Sequence, residues 1–109
     1  MALQEIGKMS LKNQGGFVVK VAFVWWDQNG NKHTSHDTGG FPLGKTETVD
    51  PGHLGVPDGS TVSMYAVVVA GKNNEAQQQF TYQSGNASVA NYTISGTTLD
   101  NKLGLNSIS

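Results

Sequence analysis

Ten consecutive residues, Phe17-Val18-Val19-Lys20-Val21-Ala22-Phe23-Val24-Trp25-Trp26, are apolar at every position but Lys20. Eight of the ten are β-branched or aromatic, which favours an extended strand over a helix. Side chains of a strand alternate in direction, so Phe17, Val19, Val21, Phe23 and Trp25 share one face. Val18, Lys20, Ala22, Val24 and Trp26 share the other. A strand of a two-layer fold needs one apolar face, and this one has two. The stretch Ser60–Ala70 repeats the pattern, with Val62, Met64, Ala66, Val68 and Ala70 on one side and Tyr65, Val67 and Val69 on the other.

No window of the chain keeps apolar residues at helical spacing. Short β-rich runs separated by turn residues fill it instead. The spacing predicts strands over Ile6–Lys12, Phe17–Asp27, Lys32–Asp37, Leu43–Asp50, Ser60–Ala70, Ala76–Ser84, Ser88–Ser95 and Thr98–Leu105. Asn29-Gly30 is a hairpin signal, Pro57-Asp58-Gly59 fits a type I turn, and Gly71-Lys72-Asn73-Asn74 and Ser84-Gly85-Asn86 fit hairpin loops. Two runs read as one-sided: Phe80 and Tyr82 oppose Gln79, Thr81 and Gln83, and Ala90, Tyr92 and Ile94 oppose Asn91, Thr93 and Ser95. The expectation is an all-β chain, a single antiparallel β-sandwich of about eight strands, with a small barrel as the alternative. At 109 residues the chain holds one domain, residues 1–109, and one core.

Charge is sparse. Charged residues make up 14% of the chain, against about 25% in an average soluble domain. The net charge is −1, and all seven basic residues are lysine. A nucleic-acid partner is therefore not expected, since phosphate neutralisation needs a basic surplus and base readout leans on arginine. There is no cysteine, hence no disulfide and no thiolate metal site. The first residues contain no apolar stretch of the length a secretory signal requires. Synthesis in the cytosol without a signal peptide is expected, with release to the extracellular space as a further route.

Several motifs fail on context. Gly39-Gly40-Phe41-Pro42-Leu43-Gly44-Lys45-Thr46 matches the phosphate-binding G-x-x-x-x-G-K-[ST] pattern letter for letter, but that loop needs a helix after it. Glu47-Thr48-Val49-Asp50-Pro51-Gly52 cannot supply one. Asp27-Gln28-Asn29-Gly30-Asn31 starts like an EF-hand loop, yet Lys32 stands where the glycine belongs and Thr38 where the glutamate belongs. His33 and Asp37 would lie about 13 Å apart along one strand face, and His33 and His36 on opposite faces, so no metal site is expected. Ser35-His36-Asp37 are neighbours in sequence, which alternation keeps from forming a triad. No catalytic residues and no cofactor are assigned.

The remaining candidates are aromatic and polar. Alternation sends Trp25 to the core and Trp26 outward. An outward indole beside loops rich in Asn, Gln, Ser, Thr and Gly suits a sugar ring or a lipid interface. Trp26, Asn29, Asn31, His36 and Asp37 are the candidate binding residues. Val18, Ala22, Val24 and Trp26 form an apolar outer face that needs cover, which a terminal segment or long loop of the chain folding over it, a homo-oligomer interface, or a ligand, membrane or partner surface would provide. In composition and in its start, the chain is similar to small cytosolic β-sandwich lectins and cytolysins of fungi and bacteria. The expected function is non-enzymatic recognition of cell-surface glycans or membrane lipid head groups. A structural protein assembling through its outer face is the alternative.

Overall fold

Local alternation becomes strands throughout the computed structural model, which describes residues 2–109. In chain order these are β1 (Glu5–Ile6), β2 (Lys8–Gly15), β3 (Val19–Trp26), β4 (Lys32–Thr34), β5 (Thr46–Val49), β6 (Thr61–Val68), β7 (Asn74–Glu75), β8 (Phe80–Tyr82), β9 (Val89–Gly96) and β10 (Asn101–Ile108). A four-residue 3-10 helix, Pro51–Leu54, joins β5 to β6 and is capped by the Asp50 carboxylate accepting from the Gly52 amide. One sheet runs β1-β8-β6-β3-β4, with β7 also on β6, and the other runs β10-β9-β2-β5. The sheets pack face to face as a sandwich, and no barrel closes.

The core lies between the sheets. From β3 come Val19, Val21 and Phe23, and from β6 come Val62, Met64, Ala66 and Val68. Facing them are Met9 and Leu11 of β2 and Ala90, Tyr92 and Ile94 of β9. These are the inward sets that alternation predicts. Two pairings depart from the antiparallel expectation: β2 runs parallel to β9, and β1 parallel to β8. Parallel neighbours need a long crossover. Here β3, β4, β6, β7 and β8 of the first sheet, and β5 of the second, lie between β2 and β9 in the sequence.

Some strands are shorter than the sequence suggests. The 32–37 stretch pairs as β4 only to Thr34. Beyond it, Ser35 and Thr38 turn their hydroxyls onto the β3 amides of Phe23 and Val21. The last hairpin begins at Asn101 and not Thr98, because Thr97–Asp100 close a turn in which the Thr97 amide donates to the Asp100 carbonyl at 2.9 Å. Gly96 enters that turn at φ 107°. A Cβ there would strike the Asp100 carbonyl oxygen.

On the outer face of β3, the chain itself supplies the cover at the middle of the strand. Ala22 and Val24 are 1% and 2% exposed, although no second chain is present. Their cross-strand neighbours on that face are Tyr65, Ser63 and Thr34. Ser63 is also buried, and its hydroxyl donates to the Gln78 carbonyl at 2.8 Å, drawing the 76–79 segment against the sheet. Lys32 of β4 and Glu75 of β7, on the two strands flanking β3 and β6, pair at 2.7 Å. The middle of the face is thus covered from within. Val18 and Trp26 are left at opposite ends of the strand, so Val18, Ala22, Val24 and Trp26 do not form one continuous surface.

Candidate functional site

Strand direction decides which loops meet. β2 and β9 are parallel and end together at Gly15 and Gly96. β3 begins where β6 ends, Val19 opposite Val68. β5 begins at Thr46 opposite Lys12, and β10 begins at Asn101 opposite Gly96. Four connections therefore emerge at one end of the sandwich: residues 16–18, 40–45, 69–73 and 97–100.

They are stitched to one another. The Gly16 amide donates to the Gly96 carbonyl, Val69 to Val18, Lys72 to Thr98 and Gly44 to Asn13, at 2.7–3.0 Å. Asn13, fully buried, donates through Nδ2 to the carbonyls of Phe17 and Phe41 and accepts from the Gly15 amide. The Asn101 side chain donates to the Lys72 carbonyl at 2.9 Å. Each loop then carries one large apolar side chain into solvent: Leu99 is 75% exposed, Leu43 62%, Val69 42% and Val18 40%. Among the described residues the one other exposed large apolar side chain is Leu3. Ala70, next to Val69, holds φ at 55°, the one positive value at a non-glycine among the described residues. A left-handed alanine costs roughly 1–2 kcal/mol, a strain that backbone bonding in the loop must offset.

The opposite end holds a groove of about 440 Å³ lined by Trp25, Trp26, Asp27 and Gln28 on one side and residues 57–61 on the other. Trp25 stacks on His33 with ring centroids 4.2 Å apart, and the Lys32 ammonium stands 5.6 Å from the Trp26 ring. Both indoles are half-buried. The expected core role of Trp25 is met in part, since it packs against the core while remaining half-buried. The Asp27 carboxylate accepts from His33 and from the amides of Asn29 and Asn31, and the His33 bond leads in holding its pKa below the usual carboxylate range. With both oxygens engaged, it closes the turn.

Of the candidate binding residues, Trp26 alone lines this groove. Asn29 and Asn31 are exposed in the Asp27–Asn31 turn, and His36 and Asp37 are exposed along the edge of β3, away from it. The sequence reading brought these five together, and the fold does not. Among the described residues no group of three or more His, Asp or Glu could hold a metal. Within Gly39–Thr46, Phe41 forms an isolated bridge, residues 42–45 make a loop and Thr46 opens β5, so a strand follows the loop where the motif needs a helix. Leu43, Val69 and Leu99 were not singled out. Their signal is faint: a large apolar residue set among glycine and polar turn residues.

No protein-family model matches the sequence, and no curated protein sequence matches it. Solved structures do match in fold. Over 92% of this chain the fold is similar to listeriolysin O, with a TM-score of 0.50 and 18% identity. A pneumolysin structure is similar over 92%, with a TM-score of 0.50 and 12% identity. A structure described as a Gram-negative toxin is similar over 91%, with a TM-score of 0.50 and 14% identity. The chain spans 22%, 23% and 22% of the length of those three chains. At such identities the likeness is one of fold.

Proposed function

We propose that this β-sandwich is a non-enzymatic recognition module that docks on a membrane surface through its four-loop end. The observation that carries the reading is the convergence of Val18, Leu43, Val69 and Leu99, one from each loop, at a single end of the molecule. Scattered exposed apolar residues need no explanation, but four together on stitched loops do. Fully burying such a side chain contributes roughly 1.5–3 kcal/mol. Four shallow insertions together suffice for reversible interfacial binding. The folds it resembles belong to two lysins and a toxin, which agrees with a membrane as the target. Action on cells other than the one that makes the protein, after release, belongs to the same proposal. No subunit contact is proposed on the outer face of β3, since Ala22 and Val24 have their cover within the chain.

Co-flotation with lipid vesicles tests this. Leu99→Asp is expected to weaken binding at least about tenfold, the loss of one buried leucine, with an unchanged unfolding midpoint. Full-strength binding by a Leu99→Asp, Val69→Asp double variant would sink the reading.

A second reading rests on the groove. Two half-buried indoles beside a Gln and the hydroxyls of Ser60 and Thr61 offer an apolar platform with neutral hydrogen-bonding groups, the chemistry a neutral glycan needs.

A further inference from the structure

Charge is divided between the two ends of the molecule. Five of the seven lysines belong to the four-loop half. Lys45 and Lys72 are in the loops, Lys20 and Lys102 stand one residue inside β3 and β10, and Lys12 lies three residues before the end of β2. Four of these are exposed and Lys20 is half-buried. Three acids, Glu47, Glu75 and Asp100, accompany them, which leaves that half at +2. The opposite end has Glu5, Asp27, Asp50 and Asp58 against Lys8 and Lys32, and Asp37 sits at the waist. Lys32, outside the loop half, is the lysine that forms an ion pair among the described residues. A chain of net charge −1 is therefore a dipole whose positive end coincides with the apolar loop tips.

The geometry points to a preference for anionic lipid head groups: exposed apolar side chains enter the interface, and the lysine collar behind them meets the lipid phosphates and carboxylates. This rests on the membrane-docking reading and adds to it the chemistry of the surface. Depth supports it. At about 3.3 Å per strand residue, the lysines stand from zero to roughly 10 Å behind the loops. Head groups fill a layer of about that thickness outside the hydrocarbon, and the negative potential persists for roughly a Debye length of 8–10 Å. Lysine suits the position, because its long stem lies along apolar surface while its ammonium meets phosphate as a point charge. The acidic far end is repelled by the same surface, so the field presents the loop end first. Apolar tips ahead of the charge favour a lipid surface over a nucleic acid, which has no apolar layer to receive them.

The test is co-flotation of the full chain with phosphatidylcholine vesicles, with and without phosphatidylserine, at low and high salt. Binding is expected to be stronger on the anionic vesicles and to fall with salt. Each lysine near such a surface is worth about fivefold in affinity, so Lys45→Gln with Lys72→Gln should cost roughly 25-fold there and nothing on neutral vesicles. Equal, salt-insensitive binding to both vesicles overturns the anionic preference and leaves docking intact. Binding to neither, by a protein that unfolds cooperatively, overturns both. A short DNA duplex that binds more tightly than the anionic vesicles, and equally after Leu99→Asp, also overturns it.

Discussion

Tyr92 carries a hydroxyl that the fold buries without a hydrogen-bond partner among the described residues. Alternation places its ring inward between Ala90 and Ile94, and the ring's apolar contribution outweighs the orphaned oxygen. Removing that oxygen should therefore help. Tyr92→Phe is expected to leave stability unchanged or raise it by about 1 kcal/mol in urea unfolding. Burial pushes the Tyr92 phenol up to about 12. A raised folded pKa favours the neutral form, so stability is flat below pH 10, the unfolded value, and falls as pH rises from 10 towards 12. The loss should reach about 2 kcal/mol after allowance for solvent screening, and Tyr92→Phe should abolish that part of it. Tyr82 is raised as well, by burial first and then by its bond to Asp50, so some alkaline loss will persist in the variant. The inward ring was legible in the period of two. The missing partner was not, because it depends on what the opposite sheet brings.

β2 shows how an element can be read correctly and still withhold its main work. The sequence ends this strand at Lys12, and the period Met9, Leu11 continues in the structure to Asn13, which is fully buried. A buried amide is tolerated when its groups are paired, and here they hold the carbonyls of Phe17 and Phe41 and the amide of Gly15. Two of the four tip loops thus hang from one side chain. Asn13→Ala strands three buried backbone groups, and a loss of about 2–3 kcal/mol is expected in thermal or urea unfolding. Asn13→Asp should not rescue it, because the carboxylate cannot donate to the two carbonyls. On β3 the inner face was equally legible, whereas the outer face looked bare. Its cover comes from Glu75 and Gln78, about fifty residues further along the chain, and no local pattern announces that.

At the scale of the molecule the two ends are separate surfaces, apolar and basic at the loops, aromatic and acidic at the groove. Residues at opposite ends share no partners, so their effects should be independent. Trp26→Ala is expected to leave vesicle binding within about twofold of the parent, and to remove any glycan binding seen on an array. A large loss of vesicle binding would place the membrane contact at the groove instead. The amino-acid sequence alone determined the all-β class, the longer strands and their alternating faces, and several of the turns. These depend on residues within a few positions of one another, where the period of two and the turn preferences act. The tertiary structure decided that residues 18, 43, 69 and 99 come together, that the lysines gather behind them, and that Ala22 and Val24 are covered. Those outcomes follow from the parallel pairing of β2 with β9 and the stacking of two sheets, and such long-range contacts leave no periodic trace in the chain.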